Sequence, residues 1–355
     1  MHFAPFRIIC TGLLLVTASL FTGCATRDRL PAEAENKTIV VATIFPMADW
    51  ARQVGGERVY VQTLLPAGAS PHTYDPAPRD MRIISHSSLF IRAGLDMDNW
   101  GSSLIRAAGT DSPTLLSLGE ELTKKNALPD VAHIDTSAEA LGNDHHGHDH
   151  GHDHDHSSCG HNHGGVNPHF WLDPVVAIHS IEIIRDALIE ADPEGKAVYE
   201  ENAGRYIADL KNLDSELDLL FQPVANQGFV SFHNAWPYLA QRYDLRIVAV
   251  IEEFAGKAPS EKYLRAVTQR LKELNIKTVF SEPQLNAGVA KIIADEIGGS
   301  VGLLDPYGTE GDPQRGSYLA MMRYNGQQLI KAMQSDQQTV VPPAAPQPQV
   351  AAAAQ

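Results

Sequence analysis

Residues 199–220 read YEENAGRYIADLKNLDSELDLL, and this stretch decides the architecture. Its apolar positions Tyr199, Ala203, Tyr206, Leu210, Leu213, Leu217 and Leu220 recur at alternating steps of four and three. That spacing draws one apolar stripe down a helix of roughly 25 residues, about 37 Å long. Such a helix is long enough to run down two lobes and fix their relative orientation. Periodicity alone also allows a core helix inside one lobe.

The sequence on either side favours two lobes. Before the stripe, IVVATIF (39–45), VYVQTLL (59–65) and LFIRAG (89–94) are short β-rich runs, with helical spacing in MADWARQVGG and APRDMRIISHSS between them. After it, GFVSF (228–232), LRIVAVI (245–251), KTVF (277–280) and SVGLL (300–304) repeat the rhythm. SEKYLRAVTQRLKELN, preceded by Pro259 and opened by the capping residue Ser260, reads as a helix. Strands alternating with helices predict an α/β fold with mainly parallel sheets. The expected order is an N-terminal lobe over 38–192, a linking helix over 193–222 and a C-terminal lobe over 223–335. The Pro- and Ala-rich tail 336–355 is expected to be disordered.

Before the first lobe, Arg7 precedes the uncharged run IICTGLLLVTASLFTG, which ends at Cys24. It has the proportions of a secretory signal and is short for a permanent span. LFTGC resembles a lipobox, although Phe21 stands where Leu is commoner. Residues 1–23 are therefore read as a signal, Cys24 as the lipidated first residue, and 24–37 as a leash. Cys10 leaves with the signal and Cys24 is acylated, so Cys159 remains as a lone thiol and no disulfide is expected. The net charge of −15 argues against nucleic acid and admits cations. Nothing points to an oligomer, so a monomer is expected, extracytoplasmic and tethered at one end.

Histidine carries the chemistry. NDHHGHDHGHDHDHSSCGHNH (143–163) contains nine of the sixteen histidines: His145, His146, His148, His150, His152, His154, His156, His161 and His163. Neutral imidazoles bind zinc, copper and nickel, and four interspersed aspartates favour a cation. No packed core accepts so many polar groups, so this is read as a solvated accessory loop. Ordering a flexible chain around each metal makes it a weak binder. Elsewhere, His72 follows the strand ending at Leu65, His169 sits in GVNPHFWLDP, His233 follows GFVSF and Asp305 follows SVGLL. Ligand sites of open α/β sheets collect beyond the strands' carboxyl ends, where these four residues could form an N3O site. His86, His133 and His179 match no such position and are read as surface or core residues.

GASPHTYDP, NPHFWLDP, FHNAW and LLDPYG resemble, in that order, the ligand motifs of the family 9 (cluster A-I) metal-binding lipoproteins. These are solute-binding components of zinc and manganese ABC transporters. GKAPS (256–260) and FSEPQ (280–284) are similar to further family segments. The resemblance implies two α/β lobes on one rigid helix, with metal ligands at His72, His169, His233 and Asp305 in the cleft between them. It also implies Zn2+ as cargo, and a permease with its ATPase as partner. Histidine at 233, where manganese members commonly carry Glu, favours tetrahedral zinc. Manganese or another divalent metal is the alternative cargo, and an adhesin or zinc-buffering lipoprotein the alternative role. No HExxH motif supports a zinc hydrolase, so no enzyme is expected.

Overall fold

The computed structural model describes residues 31–77, 80–109, 113–131, 166–252 and 256–336. The leader, Cys24, His133, the His-rich segment and all but the first residue of the tail lie outside them. Two four-stranded sheets organise the chain. The first contains β1 (Thr38–Ala42), β2 (Val59–Thr63), β3 (Leu89–Arg92) and β4 (Thr114–Ser117), in the order β2-β1-β3-β4. The second contains β5 (Gly228–His233), β6 (Arg246–Glu252), β7 (Thr278–Ser281) and β8 (Ser300–Leu303), in the order β6-β5-β7-β8. Every pairing is parallel, so all strands of a sheet end on the same edge. The two lobes share one topology.

The expected strands form within a few residues of their sequence signals. β4 is an addition: it runs straight into the helix Leu118–Lys124, and Thr114 and Leu115 are exposed, so no alternation marks it. APRDMRIISHSS yields only a short helix, Asp80–Ser85. Local chemistry starts the others. Ser260 accepts from Tyr263 N at the head of Glu261–Glu273. Asp173 accepts from Val175 N ahead of Pro174, the first residue of Pro174–Ala191, where a missing N–H costs nothing.

The stripe forms a 26-residue helix, Lys196–Phe221. Tyr199, Ala203, Tyr206, Leu210, Leu213 and Leu217 are buried along it, and Leu220 is partly buried. This helix is not confined to one lobe. Asn202 Nδ2 donates to Val54 O of the N-terminal lobe at 3.0 Å, and Glu216 pairs with Arg323 of the C-terminal helix at 2.7 Å. Gly326 of that C-terminal helix (Tyr318–Ser335) permits the close packing, because a Cβ there would lie 2.7 Å from a Leu217 methyl group. The stripe joins Trp50 and Phe170 to Trp236, Phe280 and Met321 in one apolar core, and a second core fills the far side of the C-terminal lobe.

Polar ties reinforce the junction. Tyr318 N donates to buried Asp49 at 2.8 Å, and the Trp50 and Tyr318 rings meet edge-on with centroids 5.1 Å apart. Trp171 Nε1 donates to Pro306 O at 2.7 Å. Shared burial across both lobes makes their unfolding cooperative. Leu213→Ala, at a fully buried stripe position, should cost about 2–5 kcal/mol. Urea denaturation followed by circular dichroism should still give one transition at a lower midpoint; two separated transitions would mean that the lobes do not share a core.

Candidate metal centre

His72 lies in the long connection after β2. Trp100 Nε1 donates to Pro71 O at 3.0 Å, and the Tyr74 and Trp100 rings pack edge-on at 4.9 Å, pinning the loop on both sides of the imidazole. His169 precedes a single 3-10 turn, Phe170–Leu172. Asn167 Oδ1 accepts from both its backbone N and its Nδ1, each at 3.0 Å. Asn167 Nδ2 in turn donates to Asn234 O at 2.9 Å, so this support reaches into the C-terminal lobe. His233 is the last residue of β5. Its Nδ1 lies 2.7 Å from Glu282 Oε2, a charge contact without good hydrogen-bond direction. Gln284 Nε2 holds the same oxygen at 2.6 Å.

Asn167 Oδ1 takes the His169 Nδ1 proton, which leaves the His169 Nε2 lone pair free. The three Nε2 atoms converge. His72 Nε2 is 3.3 Å from His169 Nε2, which is 3.2 Å from His233 Nε2. All three ligand atoms lie within 4.8 Å of one another. Zinc bound tetrahedrally at about 2.0–2.1 Å sets its ligand atoms about 3.3–3.4 Å apart. Burial lowers the pKa of His72 to about 3 and that of His169 well below its usual value, with the His233 ring adding to both effects. These two rings are therefore neutral at pH 7. Neutral imidazole nitrogens that converge in this way can coordinate a cation together.

Asp305, expected as the fourth ligand, is not in this converging set among the described residues. Two residues beyond β8, its Oδ1 accepts from Tyr307 N (3.0 Å) and Gly308 N (2.9 Å), and its Oδ2 pairs with Arg315 Nη1 at 3.0 Å. Burial still leaves its carboxyl pKa raised. It faces a cleft of about 180 Å³ between segments 62–69 and 305–310, which the three histidines do not line. The cleft is distinct from the cluster. His86 is exposed against Arg82 O, and partly exposed His179 lies near Glu182, both away from the cluster. The nine accessory histidines and Cys24 lie outside the described residues.

Carboxylates complete the C-terminal edge of the second sheet. Register places Glu252 beside His233, and Glu282 follows β7. Both are buried, and burial raises the Glu252 carboxyl while Gly256 N donates to it at 3.0 Å. Glu252 and Asn167 carried no ligand signal in the sequence, although each stands beside or near a histidine in space or along the chain.

Known proteins resemble the chain in sequence and in fold. The family model for zinc-uptake complex component A, periplasmic (ZnuA), matches residues 40–332. The zinc-binding protein AdcA of Streptococcus pyogenes serotype M6 is 29% identical over 317 residues, covering 88% of this chain and 59% of its own length. The zinc-binding lipoprotein AdcA of Streptococcus pneumoniae R6 is 29% identical over 318 residues, with 88% and 58% covered. The chain thus spans about three-fifths of the length of these relatives. A crystal structure of ZnuA matches with a TM-score of 0.67 at 25% identity, over 84% of this chain and 99% of that one.

Supporting partners of ligating histidines tune affinity through ring orientation and basicity. Glu282→Gln should therefore weaken zinc binding by about 10–100-fold while leaving the far-ultraviolet circular dichroism unchanged. Chelator competition measures this, and unchanged affinity would remove Glu282 from the centre.

Proposed function

The chain belongs to the zinc-uptake complex component A family, and from that premise we propose that it captures Zn2+ outside the cytoplasm and hands it to an ABC-type importer. The observation that carries the proposal is the convergence of three imidazole Nε2 atoms, 3.2–3.3 Å apart in succession, from both lobes. His72, His169 and His233 hold the ion, and Asp305 supplies the fourth position once it parts from Arg315. Zinc is cargo here, and no chemistry on another substrate is proposed. A site closed by four protein ligands leaves no vacancy for an activated water, unlike the open zinc of a hydrolase. The membrane partner is the permease with its ATPase, and a lipid on Cys24 keeps the protein near it. No helix among the described residues is long and apolar enough to cross a membrane.

The histidines of 143–163 serve as an accessory reservoir. Their closely spaced rings give many overlapping weak ligand sets, and the segment ends shortly before His169. Calorimetry separates the two roles. The full chain should bind one zinc tightly and several weakly, and removal of 143–163 should abolish only the weak sites. Loss of the tight site with the segment would mean that the loop supplies its ligands.

His233→Ala should abolish tight binding, whereas His86→Ala, at an exposed histidine, should leave it intact. Equal effects in the same titration would contradict the role given to His233. Zinc joins ligands from both lobes, so it should also raise the melting temperature of the wild-type chain.

A further inference from the structure

Arg315 is the charged group that the metal centre does not explain. Its guanidinium bridges two carboxylates, reaching Asp305 Oδ2 at 3.0 Å through Nη1 and Asp312 Oδ2 at 2.6 Å through Nη2. The bridge is built in. Asp312 Oδ1 accepts from Gln314 N and Arg315 N, and the guanidinium carbon lies 5.4 Å from the Tyr324 ring centroid. The loop returns through Gly308, at φ +73°, where a Cβ would lie 2.9 Å from Arg315 O and 3.0 Å from the Phe45 ring.

Asp305 is held just as firmly on its other side. Asn325 clamps its backbone, accepting from Asp305 N at 2.8 Å and donating to Asp305 O at 2.7 Å. Its Oδ1 is taken by two backbone N–H groups, so Oδ2 is the oxygen left for a metal, and that oxygen belongs to Arg315. Asp305 stands one strand from the cluster. Leu304 N bonds to Ser281 O at 3.0 Å, which sets Asp305 beside Glu282, the residue touching His233.

We infer that Arg315 sets the metal selectivity of this site by withholding the carboxylate that oxygen-preferring cations need. This rests on the proposed zinc site and deepens it. A cation recruiting Asp305 must break a partly buried charge pair, and losing the partner of the buried Asp305 carboxylate is costly. The cost falls unequally. Zinc binds imidazole strongly, so three nitrogens supply most of its affinity and Asp305 adds little once its pair with Arg315 is broken, whereas manganese binds the same nitrogens weakly and depends on carboxylate. Arg315 therefore penalises manganese more than zinc, adding a second discriminator to His233.

The test is chelator competition on the full chain, with Zn2+ and Mn2+ measured separately. Arg315→Gln should raise Mn2+ affinity by about tenfold or more while changing zinc affinity by less than about threefold. Adding Asp305→Asn to Arg315→Gln should erase the manganese gain, which a merely structural role for Arg315 would not do. Should Arg315→Gln fail to fold, Arg315→Lys keeps the charge without the two-pronged bridge and should give a smaller gain of the same sign. An unchanged zinc-to-manganese ratio in the foldable variants, or a gain that persists without the Asp305 carboxylate, overturns the inference alone. Failure of the wild-type chain to bind zinc tightly overturns both it and the proposed site.

Discussion

Three imidazole Nε2 atoms lie within 4.8 Å of one another, and the surrounding contacts hold two of the three rings in place. His169 cannot turn away, because Asn167 holds its Nδ1 and is itself bonded to Asn234. His233 is set at a strand end with Glu282 beside its Nδ1. Burial removes the simplest escape for His72 and His169, which is to take up a proton from water. The protein thus prepays the cost of assembling the ligands, and binding need not order them.

That preparation needs lobes that do not drift. Two of the converging histidines come from the N-terminal lobe and one from the C-terminal lobe, so small rotations between lobes would open the cluster. The linking helix opposes them by burying one stripe in a core common to both lobes. The contacts of Asp49 with Tyr318 and of Trp171 with Pro306 cross the junction directly. The same rigidity lets Arg315 compete for Asp305: a bridge anchored by Asp312 and a carboxylate clamped by Asn325 cannot both relax cheaply. Affinity and selectivity thus draw on different sets of contacts.

The sequence disclosed most of the frame, because its signals are local. A 4–3 stripe reports a helix, and β-rich runs between Gly and Pro report parallel strands. The three histidines stood out because each lies in a short motif near a strand end or turn. Asp305 was legible in position and not in pairing: Arg315 is ten residues away and Asn325 twenty, and no periodicity links them. Glu282 was visible only as part of the family-like segment FSEPQ, since its contact with His233 depends on the β5–β7 pairing. Asn167 lay within NPHFWLDP, yet its reach to the other lobe is a tertiary fact. β4 escaped because an exposed four-residue edge strand running into a helix carries neither pattern.

The central claim is that one zinc ion sits among His72, His169 and His233. X-ray absorption at the zinc edge, on full-length protein loaded with one equivalent, tests it most directly. The account predicts four-coordinate zinc with three imidazole nitrogens and one oxygen at about 2.0–2.2 Å, and the same spectrum after removal of residues 143–163. A six-coordinate, oxygen-dominated shell, or a spectrum that loses its imidazole scattering with that segment, would contradict it.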